Sequence, residues 1–418
     1  MHPLFLLVLC YTEDIIIYNK EIEMRYDFET ISDRNEMGSR KWEIRSEQFP
    51  NLKKDVVPFS SADMEFKNAP EIIDGLKKRL DNLVLGYCAP TDRFFNSIIN
   101  WDKKRHNADI KKEWIVEVPT VVNGFFAAVS AFTKKGDSVM IMRPVYGPFR
   151  LAIEMNDRVM TDVALISDER NNYSIDFEKF ELECKKDENK MVILCNPHNP
   201  GGILWSKDDL EKVIKIANEN DVVVVVDEIW QDIVMPGNTH TSVLSLDRKL
   251  VEKAVVCQSA TKSFNLAGLC CGYTIISDPE MMEQYKKTLD VMRSNAVNVM
   301  GLEATQLAFD NAEDWLNEMI KVIDTNQKIV YDFFKEKYPK IIVNHLQATY
   351  VMWMDFRCLG LSGDELMQTL VDKADLVFTD GRFFGECDGF VRFNVAAPTH
   401  LIKDALARLD NLLQEIYK

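Results

Sequence analysis

The chain reads as an α/β protein: a large domain built on a mostly parallel sheet flanked by helices, joined to a smaller α+β domain. Three observations predict this. Short continuous apolar runs recur between turn residues, amphipathic stretches of helical period lie between several of them, and after about Met300 the texture changes to long amphipathic segments. A length of 418 residues also exceeds what one hydrophobic core usually serves.

Taken in order, the first stretch, Leu4 to Cys10, is apolar but lacks the basic flank and small-residue cleavage site of a signal peptide. It is also too short to span a bilayer. Residues 1–23 are therefore expected to be an extension or the product of a mis-assigned start, with Met24-Arg25-Tyr26-Asp27-Phe28 as a natural beginning. Residues 24–69 are irregular and are expected to pack with the small domain, ahead of a first clear helix over Pro70 to Leu80. The large domain is expected over 70–305. Its strands are Val139 to Met142, Met191 to Leu194, Val222 to Val226, Ala254 to Val256 and Gly272 to Ile276, apolar throughout, as strands buried on both faces must be. Lys207 to Glu219 reads as a helix, with Ser206 as N-cap and Leu210, Val213, Ile214 and Ala217 on one face. The small domain, 306–418, continues a helical stretch running from Gly301 to Lys337, followed by Val351 to Met354, Gly363 to Lys373 and Val391 to Val395.

Composition narrows the function. A formal charge of −16 argues against a nucleic-acid surface, which needs clustered Lys and Arg. Nine scattered cysteines with no Cys-x-x-Cys, and six histidines at no ligand spacing, imply neither a disulfide framework nor a metal site. A reducing cytoplasm, no membrane partner and small-molecule chemistry are the expectations.

Four features carry that chemistry. Ser259-Ala260-Thr261-Lys262 follows an apolar strand, and a lysine made partly neutral by desolvation is an effective Schiff-base nucleophile, with Ser259 and Thr261 able to donate to a phosphate. Upstream, five valines lead into Asp227-Glu228, setting Asp227 at a strand's carboxyl end, where open α/β sheets bind ligands. A carboxylate there can keep a heteroaromatic nitrogen protonated. Asn196-Pro197-His198-Asn199-Pro200-Gly201-Gly202 forms a turn from which Asn199 can donate to a phenolate oxygen. Asn123-Gly124-Phe125 is expected to open a helix running to Phe132, whose free N–H groups would receive a phosphate. Singly, each has a plain alternative: a surface lysine in a turn, Asp227 as a helix N-cap, an ordinary loop, any helix start.

In this order, with Pro144-Val145-Tyr146 and a late Val391-Arg392-Phe393-Asn394, the motifs resemble the fold-type I pyridoxal 5′-phosphate (PLP) enzymes of the class I/II aminotransferase superfamily. Tyr26-Asp27-Phe28, Lys41-Trp42, Ala62-Asp63-Met64-Glu65-Phe66, Gly86-Tyr87, Tyr146-Gly147-Pro148-Phe149 and Lys262-Ser263-Phe264-Asn265 are most similar to the MalY/PatB group of cystathionine β-lyases, the cysteine-S-conjugate or C–S β-lyases. The resemblance implies that Lys262 carries PLP as a Schiff base and acts as general base, that Asp227 pairs with the pyridine nitrogen, and that Asn199 bonds the 3-oxygen. Tyr146 would stack on the ring, and Arg392 would grip the substrate carboxylate. Asn123, Gly124, Phe125 and Ser259 would line the phosphate cup, and Tyr87 would reach the cofactor of a second copy, implying a homodimer with shared sites. Two positions depart from the aminotransferase pattern: Trp230 stands where a tyrosine commonly supports the 3-oxygen, and Leu269-Cys270-Cys271 stands where a phosphate-binding arginine is common. The second departure favours a β-lyase, which eliminates a thiol from cystathionine or a related conjugate. An aminotransferase, and more remotely a catalytically idle regulatory homologue, are the rivals.

Overall fold

The computed structural model describes residues 24–417, so the expectation for residues 1–23 lies outside the described residues. The larger sheet has seven strands: β1 (Ile115–Val118), β2 (Ser138–Ile141), β3 (Val159–Asp162), β4 (Asn189–Cys195), β5 (Val223–Asp227), β6 (Val255–Gln258) and β7 (Gly272–Ile276). Their order is β1-β7-β6-β5-β4-β2-β3, and β7 alone runs against the others.

The apolar runs follow from this layering. Val224 and Val226 of β5 enter one core while Val225 enters the other, and Val192 and Leu194 of β4 oppose Met191 and Ile193 in the same way. A strand whose two faces both meet helices has no solvent side on which to place polar residues. Helices Val121–Phe132 and Pro279–Met292 pack together on one face. Helix Lys207–Glu219 packs on the other, opened by a Ser206–Asp209 capping box.

The smaller sheet is antiparallel, ordered β8-β9-β11-β10 from β8 (Ile342–Val343), β9 (Val351–Asp355), β10 (Thr379–Asp380) and β11 (Phe390–Asn394). The N-terminal segment joins it through backbone hydrogen bonds: Phe59 N–H to Val377 O (2.8 Å), Asn394 N–H to Phe59 O (3.0 Å) and Glu65 N–H to Ala396 O (2.9 Å).

One expectation needs correction. The segment before Pro70 contains a helix, Arg40–Gln48. The helical stretch from Gly301 to Lys337 comprises two helices, Val299–Asn311 and Glu313–Lys337. The first of these spans the expected 305/306 division and packs along Pro70–Leu80 and Asp92–His106. Among the described residues no helix is long and apolar enough to cross a membrane.

Candidate active site

Three strands bring the site together. In register, Cys195 pairs with Asp227 and Asp227 with Cys257, so the turns leaving β4, β5 and β6 lie side by side at the sheet's carboxyl edge. They carry Asn199, Asp227 and Lys262. Arg392 arrives from β11 of the small sheet, and Tyr146 from the turn before helix Pro148–Glu154. With Trp230, all five line a cleft of about 1840 Å³.

The Lys262 Nζ donates to the carbonyl of Ala62 at 2.6 Å and lies 5.8 Å from the centre of the Trp230 ring. Burial pushes its pKa down to about 8; the charge of Arg392 acts the same way, against Asp63 and Asp227. Asp227 accepts from the Ile229 N–H at 3.1 Å, and burial pushes its carboxyl up to about 7 despite that bond and Lys262. No helix follows directly, so Asp227 is not an N-cap.

Arg392 is buried beneath the Phe384 ring and pushed down to about 10 by that burial. Its Nη1 donates to Asn199 Oδ1 at 2.9 Å, which commits the amide carbonyl and leaves Asn199 Nδ2 free to donate into the cleft. Arg392 Nε is a buried donor without a protein partner, as a residue awaiting an anionic ligand would have. Tyr146 stands edge-on to Phe149 and Phe383, and burial raises its phenol to about 12, keeping it neutral.

The anion end differs from the sequence expectation. Helix Val121–Phe132 starts earlier than Asn123, with Thr120 as N-cap: the Thr120 Oγ1 accepts from Asn123 N–H at 3.1 Å. The unpaired first-turn amides are those of Val121 and Val122, and these residues line the cleft with Thr120, Phe125 and Thr261. Asn123 and Gly124 do not line it. Gly124 instead lets the helix approach the sheet, since a Cβ there would meet Thr274 Oγ1 at 3.0 Å and Cys257 Sγ at 3.3 Å. Ser259 does not line the cleft either, because its hydroxyl donates to Cys271 O at 2.7 Å and shapes the turn. Tyr87 is 111% exposed and stays outside the cleft of its own chain.

The arrangement, a helix start with free amides, a free amide donor, a buried carboxylate and an amine pushed towards neutrality, fits a phosphorylated heteroaromatic aldehyde. Sequence reasoning gave no role to Ala62, Asp63 or Arg34, which line the cleft beside Lys262.

The profile of aminotransferase class I and II matches residues 54–409. The chain belongs to that family. Within the aminotransferase class I and II family, it is 33% identical to cystathionine beta-lyase PatB of Bacillus subtilis (strain 168), across 92% of this chain and 98% of that protein. It is 28% identical to protein MalY of Escherichia coli (strain K12), across 94% of this chain and all of that protein. Among solved structures, cystalysin from Treponema denticola, which contains a pyridoxal 5′-phosphate cofactor, superposes with a TM-score of 0.92 at 40% identity, covering 94% of this chain and 100% of that one. The PLP-bound C–S lyase of Staphylococcus hominis gives 0.85 at 26% identity, covering 94% and 99%. The fold is thus that of fold-type I PLP enzymes in this family.

Proposed function

We propose that the chain is a PLP-dependent C–S β-lyase, which converts an L-cysteine S-conjugate such as L-cystathionine, with water, into a free thiol, pyruvate and ammonia. The observation that carries this reading is the convergence of Lys262, Asp227, Asn199 and Arg392 on one cleft, in a chain whose relatives include C–S lyases.

When bound, PLP supplies an electron sink for the bond broken at the substrate α-carbon. The residues supply the rest. Lys262 holds the cofactor and, once released, takes the α-proton at Nζ; a pKa near 8 leaves a usable free-base fraction around neutral pH. Asp227 keeps a proton on the ring nitrogen, and Asn199 Nδ2 donates to the ring oxygen. The Val121 and Val122 amides and the Thr261 hydroxyl receive the phosphate, with Tyr146 against the ring. Arg392 grips the α-carboxylate. A fully exposed Tyr87, flanked by the exposed Val84 and Leu85, supports a homodimer in which this segment reaches a second copy. The free cysteines among the described residues fit a cytoplasmic protein.

Purified protein reconstituted with PLP and given L-cystathionine should release pyruvate and thiol in equal amounts, and the Lys262→Ala variant should release neither. Bound cofactor with amino-group transfer to a keto acid but no pyruvate would favour an aminotransferase instead.

A further inference from the structure

The wall of the cleft nearest Lys262 is the segment from Ser60 to Glu65, whose Ala62 carbonyl touches the lysine amine. Its backbone is held from several sides. Asn394 Nδ2 donates to Ser61 O (3.1 Å) and Asp63 O (2.8 Å), Asn265 Oδ1 accepts from Met64 N–H (3.0 Å), and Lys41 Nζ donates to Asp63 O (3.1 Å). Three ion pairs sit on this wall, Lys41–Glu65, Arg34–Asp63 and, at 3.5 Å, Arg34–Glu65, and the first two differ in exposure. Lys41–Glu65 is sealed, with side chains 2% and 1% exposed. Arg34–Asp63 stays open, at 24% and 27%. The first holds the wall together, and the second can exchange partners with a ligand.

Arg34 meets Asp63 fork to fork, Nη1 to Oδ1 at 3.0 Å and Nη2 to Oδ2 at 2.8 Å, with Nη1 also 3.2 Å from Met64 O. The pair therefore offers a planar guanidinium and a carboxylate side by side, on a fixed backbone, one residue from the carbonyl that holds Lys262. This is the complement of an amino-acid head group, whose carboxylate and ammonium stand equally close together. Arg392, with one arm committed to Asn199, serves the carboxylate next to the bond being broken. A substrate with an amino-acid group at each end needs a second fork, and Arg34 lines the cleft where it can supply one.

Resting on the lyase reading, we infer that Arg34 and Asp63 form a second head-group subsite, selecting S-conjugates whose departing thiol is itself an amino acid. In the bound state Arg34 takes the distal carboxylate and Asp63 the distal ammonium. The preferred class is then the two-headed substrates, cystathionine and cystine, over simple S-alkyl cysteines.

The test compares kcat/KM for L-cystathionine and S-ethyl-L-cysteine, by pyruvate release from the holoenzyme, in wild type, Arg34→Met and Arg34→Lys. The ratio of the two values should fall by about tenfold or more in Arg34→Met, chiefly through KM for cystathionine, as loss of a bidentate charged contact predicts. Arg34→Lys, which keeps the charge without the fork, should fall between and carries the comparison if Arg34→Met does not fold. A proportional loss on both substrates would make the pair a structural clip and overturn the inference, as would an unchanged ratio. Wild-type activity on both substrates with an unchanged ratio sinks only this inference; no pyruvate from either sinks the lyase reading and this with it.

Discussion

Asp227 is held at a cost, and replacing it by asparagine should separate stability from activity. Its carboxyl is raised from an ordinary 3.8 to about 7 by burial. A raised acid destabilises the fold once the unfolded chain would ionise: stability is intact below pH 4, falls as pH rises from 4 to 7, and carries the full penalty above 7. A shift of about three units corresponds to about 4 kcal/mol at 1.36 kcal/mol per unit. Asparagine never ionises, and its amide oxygen can still accept from the Ile229 N–H. Part of the gain is lost because Lys262 no longer has a negative neighbour. The cofactor-free Asp227→Asn protein should thus be more stable than wild type by about 2–4 kcal/mol at pH 8, with the gap closing towards pH 4.5. Urea denaturation at the two pH values measures this. In the holoenzyme the same change removes a charge facing the protonated ring nitrogen, worth about 4 kcal/mol at about 4 Å and an effective dielectric near 20, so kcat should fall about a thousandfold. Lower stability of the cofactor-free variant at pH 8, or a kcat within tenfold of wild type, would refute the reasoning.

Ser263, beside Lys262, donates to Asp232 Oδ2 at 2.7 Å, and Asp232 also accepts from His106 Nε2 (2.8 Å) and Trp101 Nε1 (2.9 Å). Ser263→Ala leaves a buried carboxylate oxygen unpaired and should cost about 1.5–3 kcal/mol in a denaturation experiment, with a lower kcat and little change in KM. Gly202 has φ +64°, and a Cβ there would collide with Leu346 Cδ2 and lie 3.0 Å from Asn344 Nδ2. Gly202→Ala should therefore lower the denaturation midpoint, by about 1–3 kcal/mol in stability, and weaken PLP binding measured by absorbance, because the Asn199 turn moves with it.

What could be read from the sequence was whatever burial repeats locally. The valine run before Asp227 announces a strand covered on both faces, and Ser206 announces a helix start because its hydroxyl must satisfy an orphan N–H. Helix Arg40–Gln48 leaves no apolar period in the sequence because its inward positions include Lys41 and Arg45, charged residues buried against Glu65 and the Val56 carbonyl in the segment that follows the helix. The start at Thr120 rather than Asn123 turned on which of two good capping residues took the cap. Nothing near Ser259 in the sequence shows that its hydroxyl is taken, because the carbonyl that engages it, Cys271, leads into a later strand. The contact between Ala62 and Lys262 spans 200 residues and leaves no local mark.

Trp230 shows how much of a site is set by such distant contacts. Its indole can donate but not accept, and it stands edge-on to Tyr350 with centroids 4.7 Å apart, forming a wall beside Lys262. In the proposed site, the ring oxygen's contact therefore rests on Asn199, whose amide is oriented by Arg392. The same arginine is the proposed grip on the substrate carboxylate. Substrate and cofactor would then share one hydrogen-bonded chain from the small sheet to the large one, so drawing Arg392 towards a carboxylate would also adjust the donor facing the cofactor. Neither the tryptophan substitution nor the Asn199 turn implies that link alone; it follows from β11 delivering Arg392 against the turn after β4.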